Sequence, residues 1–67
     1  MSVAKVIELT SESPESFEEA IRAGITRASK NLERIQGAWI KEQRVVVDNN
    51  KVTGFRVLMK ITFVLHE

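Results

Sequence analysis

The chain has 67 residues, no cysteine, 10 lysines and arginines, 9 aspartates and glutamates, and a formal net charge of +1. This length allows one domain and buries only about 60% of the unfolded surface, and without cysteine neither disulfides nor thiolate metal sites can add stability. The balanced, dispersed charge gives no footprint for a nucleic acid, and the N-terminal residues show no apolar run typical of a signal peptide or membrane span. We therefore expect a cytoplasmic protein that binds neither nucleic acid nor membranes and gains buried area by associating with itself.

The first half of the chain predicts one strand and one helix. Val3–Leu9 is a short β-branched run, and the polar segment after it ends the strand. Ser13 is placed to be the helix N-cap and Pro14 to be the first helical residue, where its missing N–H costs nothing. The helix is predicted to run to about Ile35, with Gly37 as its C-terminal stop. Its apolar stripe has spacings of three and four residues: Phe17, Ala20, Ile21, Gly24, Ile25, Ala28, Leu32 and Ile35.

The second half predicts two long strands joined by a tight turn. The second strand covers about Ala38–Asp48, Asn49-Asn50 forms a two-residue hairpin loop, and the third strand starts at Lys51. Apolar residues alternate from Gly54 to the C-terminus over roughly 14 residues, which span ~46 Å when extended. A compact domain of this size would be only ~28 Å across. The third strand must therefore bend around the helix, extend onto a neighbouring subunit, or do both.

These elements predict an α+β fold of order β-α-β-β, with a three-stranded antiparallel sheet wrapped around one helix. One face of the third strand is apolar and should pack on the helix stripe: Phe55, Val57, Met59, Ile61, Phe63 and Leu65. The opposite face mixes Leu58 and Val64 with Arg56, Lys60 and Thr62. That face is too apolar for free solvent, which favours a contact between subunits or the wall of a shared cavity.

The sequence contains no catalytic constellation. Its single histidine, His66, lies next to the C-terminus, where fraying is usual, and there is no tyrosine, phosphate-binding glycine loop or metalloprotease pair. His66 and Glu67 have the chemistry to join a metal site at a symmetric interface, although a purely structural role is favoured. We expect a protein that is not an enzyme.

Trp39 and Arg56 are the candidate ligand-binding residues. A tryptophan face stacks on a flat conjugated ring, although the pattern alone favours a core or interface tryptophan. An arginine donates to a phosphate or a carbonyl, and the alternative is a solvent-exposed or ion-paired sheet residue. Glu42, Asp48 and Glu8 offer oxygen ligands to a hard cation such as calcium, but they lack the loop spacing of a calcium site.

Taken in order, these segments resemble the dodecin family over nearly the whole chain. No single segment is a specific motif, but their order in a chain of this length is fairly specific. The matching segments are Val6-Ile7-Glu8-Leu9, Ser13-Pro14, Ser16-Phe17-Glu18-Glu19-Ala20-Ile21, Arg27-Ala28-Ser29-Lys30-Asn31-Leu32, Phe55-Arg56-Val57 and Lys60-Ile61-Thr62-Phe63-Val64-Leu65.

The resemblance implies a hollow homododecamer of tetrahedral symmetry that binds flavins such as riboflavin or FMN. In the family, paired isoalloxazine rings stack between symmetry-related tryptophans, and a glutamine on the third strand holds the ring edge. The family's tryptophan position falls on Gly37 here, and Trp39 lies two residues later, on the same face of a strand and ~6.6 Å away. The glutamine position falls on Arg56, and the acidic residue near the ribityl chain falls on Glu42.

Two hypotheses follow from the changes at the family's tryptophan and glutamine positions. In the first, Trp39 stacks from its shifted position and Arg56 replaces the glutamine or reaches a flavin phosphate. In the second, the chain forms a flavin-free shell that is empty or holds another anion or a divalent cation. The family resemblance favours a flavin-related ligand, whereas the site residues alone mildly favour the second hypothesis.

Overall fold

The computed structural model describes residues 3–65 and confirms the predicted order of elements. Strand β1 is Ala4–Ser13, helix α1 is Phe17–Ala28, strand β2 is Ile35–Asp48 and strand β3 is Lys51–Val64. The three strands form one antiparallel sheet in the order β1-β3-β2, so β3 is central. The molecule measures 51 × 19 × 13 Å, which shows that the long strands extend well beyond a compact globule.

The start of α1 differs from the predicted one. Ser16, not Ser13, is the N-cap: its backbone is extended and its hydroxyl accepts a hydrogen bond from the Glu19 amide at 3.0 Å. Ser16 and Glu19 have the spacing of a capping box. The prediction placed the helix start at Ser13 and Pro14 and did not use this signal. Ser13 is instead the last residue of β1, which runs four residues beyond Leu9, and its hydroxyl accepts from the Glu15 amide. Pro14 lies between strand and helix rather than inside the helix.

The helix ends at Ala28, well before the predicted Ile35. Turn hydrogen bonds follow it, including one from the Leu32 amide to the Ala28 carbonyl, and Arg34 adopts a left-handed conformation with φ 57°. Strand β2 then begins at Ile35, so Gly37 is a strand residue and not a helix stop. Leu32 and Ile35 fitted the helical spacing because both still pack against the core, one from the turn and one from β2.

The hairpin between β2 and β3 is as predicted. Asn49 and Asn50 have φ values of 52° and 65°, which are the left-handed conformations that a two-residue turn of this kind requires. Asparagine tolerates these values better than most residues. The turn therefore fixes the start of β3 at Lys51.

The core forms between α1 and one face of β3. Val57, Met59 and Ile61 are completely buried, which confirms the predicted apolar face, whereas Leu65 lies past the end of β3 and is exposed. The small residues of α1 allow close packing: a Cβ added at Gly24 would lie 2.6 Å from the Met59 Cε. Within residues 3–65, no helix is long and apolar enough to cross a membrane.

The buried face of β3 should dominate the stability of the fold. Ile61→Ala removes a fully buried side chain at the centre of this face, and we expect it to lower the free energy of unfolding by about 2–5 kcal/mol. Chemical denaturation followed by circular dichroism measures the change. Thr26→Ala, on the exposed side of α1, is the matched control and should change stability by less than about 0.5 kcal/mol. Equal effects of the two substitutions would contradict this assignment of the core.

Candidate functional site

The sheet face that points away from α1, called the outer face below, carries the candidate ligand-binding residues. Side chains of paired residues in an antiparallel sheet lie on the same face, so the register with the even-numbered residues of β3 defines the outer face. Its central part consists of Val6, Glu8, Thr10 and Glu12 on β1, Arg56, Leu58, Lys60 and Thr62 on β3, and Gly37, Trp39, Glu42 and Arg44 on β2. The four predicted site residues therefore lie on one surface: Gly37, Trp39, Glu42 and Arg56.

A bulge in β2 brings Trp39 and Glu42 to the same face. Residues three apart on a regular strand point to opposite faces. Here the register shifts between Ile40 and Glu42, so that Ile40 pairs with buried Met59 while Glu42 pairs with Leu58. The extra residue, Lys41, lets Glu42 return to the outer face.

Trp39 is an exposed platform at one end of the outer face. Its exposed fraction is 63%, which excludes the core position that the sequence pattern alone favoured, within this single subunit. Lys60 is its partner on β3, and the Lys60 Nζ lies 5.3 Å from the centre of the indole ring. Gly37 lies two residues before Trp39 on β2 and pairs with Thr62 on β3. A Cβ added at Gly37 would meet nothing within 4 Å. An open stretch of backbone thus borders the indole.

An ion-pair cluster joins β1 to the other strands near Trp39. The Glu8 Oε2 lies 3.5 Å from the Lys41 Nζ and 4.0 Å from the Lys60 Nζ. These side chains keep roughly a third to a half of their surface exposed. Pairs this exposed contribute about 0–1 kcal/mol each, so they orient side chains more than they stabilise the fold.

Arg56 is held by a carboxylate from β1. Its Nε and Nη2 both donate to the Glu12 Oε1, at 2.9 and 2.7 Å, and the two residues are direct partners in the β1–β3 register. The ion-paired alternative considered for Arg56 is therefore what the structure shows. The third guanidinium nitrogen, Nη1, takes no part in this pairing.

A cleft of about 210 Å³ lies at the centre of the outer face. It brings together two of the predicted residues, Glu42 and Arg56, but neither Trp39 nor Gly37 lines it. The lining residues are Thr10, Glu42, Arg44, Arg56 and Leu58. Lys60, opposite Trp39, and Arg56 are four residues apart on β3, a distance of ~13 Å. Trp39 and Arg56 therefore lie in separate parts of the outer face.

The acidic residues considered for calcium do not converge. Glu8 on β1 opposes Lys60 and Glu42 on β2 opposes Leu58, so the two lie on opposite sides of β3, while Asp48 opposes Lys51 at the hairpin end. Among residues 3–65 there is no group of three histidine, cysteine, aspartate or glutamate side chains that would hold a metal ion. His66 and Glu67, considered for an interface metal site, lie outside the described residues.

Sequence analysis missed the charged partners of the two main candidates. Glu12 was left out because β1 was ended at Leu9, and Lys60 was treated only as a polar residue of the outer face. Cross-strand charge pairing would have found Glu12, because continuing β1 to Ser13 places it opposite Arg56. Lys60 follows from the β2–β3 register, which places it opposite Trp39.

Comparison with known proteins gives a consistent result. The family model described as Dodecin matches residues 3–66. The chain is 33% identical over 63 residues to the calcium dodecin of Mycobacterium tuberculosis (94% of this chain, 89% of the relative) and 34% identical over 65 residues to the dodecin of Thermus thermophilus (97% and 94%). The structure of dodecin from Streptomyces davaonensis superposes with a TM-score of 0.93 at 32% identity, covering 98% of this chain and 97% of that one. The β-α-β-β fold, the sequence and the family match agree, and the chain belongs to the dodecin family.

Proposed function

We propose that this protein binds a flavin, riboflavin or FMN, and stores or sequesters it inside a homododecamer rather than acting as an enzyme. The observation that carries the proposal is the exposed Trp39 beside the open backbone at Gly37. An exposed indole is costly to leave in water, and an aromatic ring is a suitable occupant. Membership of the dodecin family supports the same class of function.

The space at Gly37 compensates for the displaced tryptophan. The family's stacking position falls on Gly37, where this chain has no side chain at all, and the ring-bearing residue lies two positions later on the same face. A flat ligand that stacks on Trp39 would therefore have free space at the Cβ position of Gly37, where no other atom lies within 4 Å. The backbone at Gly37 does not need glycine for its conformation, because its φ is not positive.

Arg56 suits the tail of a ligand whose ring stacks on Trp39, or a ring held by another subunit. The separation of ~13 Å along β3 is comparable to the reach of a ribityl phosphate. Arg56 and the neighbouring Arg44 line the central cleft and carry guanidinium donors that suit a phosphate, and Glu42 in the same cleft suits a hydroxylated chain.

The outer face also suits a contact between copies. Leu58 is only partly buried at its centre, and a bare sheet face with apolar residues is a usual interface in symmetric assemblies. We propose that twelve copies form the shell, with symmetry-related Trp39 residues facing each other across the ligand. Native mass spectrometry of freshly purified protein tests assembly and ligand together: twelve chains with flavin-mass adducts are expected.

The alternative is a flavin-free shell that is empty or holds another anion or a divalent cation. One relative is named a calcium dodecin, and this name supports a divalent cation as the alternative ligand. The dispersed positions of Glu8, Glu42 and Asp48 give that alternative little support in one subunit. Twelve chains without an organic ligand in native mass spectra would favour it over flavin binding.

Trp39→Ala should abolish flavin binding and leave the oligomer intact. The substitution removes the stacking surface, while its largely exposed position means that little packing is lost. Quenching of riboflavin and FMN fluorescence measures binding, and size-exclusion chromatography measures assembly. Val45→Ala, another exposed apolar residue of β2, is the control and should bind as the wild type does. Unchanged affinity in Trp39→Ala would rule out the stacking role.

Arg56→Gln separates the two roles considered for Arg56. If the guanidinium binds the phosphate, FMN affinity should fall by roughly ten- to hundredfold, as expected for loss of a charge-assisted bond of about 1.5–3 kcal/mol, while riboflavin affinity stays unchanged. If Arg56 substitutes for the family's glutamine at a ring edge, both affinities should stay the same or rise. Fluorescence titration of the two flavins against the same protein distinguishes these outcomes.

Leu58→Asp should break the assembly, because it places a carboxylate in the proposed contact surface beside Glu42. Sizing chromatography and native mass spectrometry should show smaller species. Ala23→Asp, on the exposed side of α1, adds the same charge elsewhere and should stay dodecameric. A normal dodecamer in Leu58→Asp would remove the outer face from the subunit contacts.

A further inference from the structure

Lys60 is positioned to influence what Trp39 binds. The two residues are direct partners in the β2–β3 register, and the ammonium lies 5.3 Å from the centre of the indole ring. This distance is within the range of a cation–π interaction. The Lys60 side chain is 32% exposed and that of Lys41 is 43% exposed. One face of the indole thus already has a positive charge over it.

The charges around the indole do not cancel. Glu8 is the carboxylate of the cluster and it is shared between two ammonium groups, with Lys41 closer than Lys60. One positive charge therefore remains in excess beside the ring. Of the two neighbouring outer-face pairs, Gly37 and Thr62 carry no charge, and Glu42 lies opposite Leu58. The other acidic residues of this face, Glu42 and Glu12, lie toward Arg44 and Arg56 at the central cleft.

We propose that Lys60 is a specificity-determining residue that makes the Trp39 platform prefer a flat aromatic ring with a negative charge over a neutral ring of the same shape. A neutral ring gains only stacking on the indole. An anionic ring gains the same stacking and also the attraction of the Lys60 ammonium, which Glu8 only partly neutralises. The inference rests on the proposed stacking role of Trp39. It adds that Lys60, and not Trp39, selects the charge of the ligand.

The expected preference is modest because the groups are partly exposed to water. Exposed ion pairs of this kind typically correspond to an affinity difference of about threefold, and added salt screens them. The preference should therefore shrink as the salt concentration rises from about 0.01 to 1 M, since the screening length falls from about 30 to 3 Å.

Equilibrium dialysis of the ligand-free assembled protein with 2-naphthoate and 2-naphthamide tests the inference. These probes share the ring and differ in charge at neutral pH. In the wild type, naphthoate should bind about threefold more tightly than naphthamide. Lys60→Met should bring the ratio to about one, and Glu8→Gln should raise it above the wild-type value, because the two changes shift the local charge in opposite directions. Lys51→Met, at the distant hairpin opposite Asp48, removes the same charge from the chain and should leave the ratio unchanged.

The outcomes separate this inference from the flavin proposal. Equal ratios in the wild type and Lys60→Met, with both rings lost in Trp39→Ala, would overturn the role of Lys60 and leave stacking on Trp39 in place. A ratio that falls equally in Lys60→Met and Lys51→Met would assign the preference to overall charge and overturn the role of Lys60. Binding of both rings to Trp39→Ala at wild-type affinity, or to no form of the protein, would overturn the stacking role and this inference with it.

Discussion

The central position of β3 is the constraint on which the rest of the structure depends. Because β3 pairs with β1 on one side and β2 on the other, its alternate residues must serve two different surfaces over its whole length. Val57, Met59 and Ile61 bury one face under the helix, and this leaves Arg56, Leu58 and Lys60 on the other. A slip of one residue would exchange the two sets, so the burial of the core also fixes the register of the candidate site.

The bulge at Lys41 determines which residues of β2 lie on the outer face. Without it, Trp39 and Glu42 would lie on opposite faces, and only one of them would share the surface of Arg56. With it, Ile40 stays on the core side opposite Met59, and both candidate residues lie on the outer face. The bulged lysine also reaches Glu8, so the irregularity adds a charge to the cluster beside the indole. One inserted residue thus influences the geometry and the electrostatics of the site together.

Sequence reasoning predicts those parts of the fold that depend on local patterns. The alternation of β3 and the Asn49-Asn50 turn needed only side-chain period and turn chemistry, and both were predicted correctly. The ends of the helix were not, because Ser13 and Ser16 are both possible caps, and Leu32 continues a helical spacing from a turn. The charge partner of Arg56 depends on the register between β1 and β3, which are distant in sequence. The charge partner of Trp39 depends on the β2–β3 register, which two irregularities shift between the turn and Trp39. Predicting Glu12 also required the length of β1 that the premature end at Leu9 removed.

The shift of the tryptophan by two residues changes the chemistry of the site as well as its place. At Gly37 the cross-strand neighbour is Thr62, an uncharged hydroxyl, whereas at Trp39 it is Lys60, an ammonium. A ring that moves ~6.6 Å along the strand to stay with the indole therefore exchanges a neutral neighbour for a charged one. The same backbone then presents the same aromatic surface in a different electrostatic setting. Membership of the family therefore shows the fold, whereas the charge beside Trp39 depends on the residue opposite it in this chain.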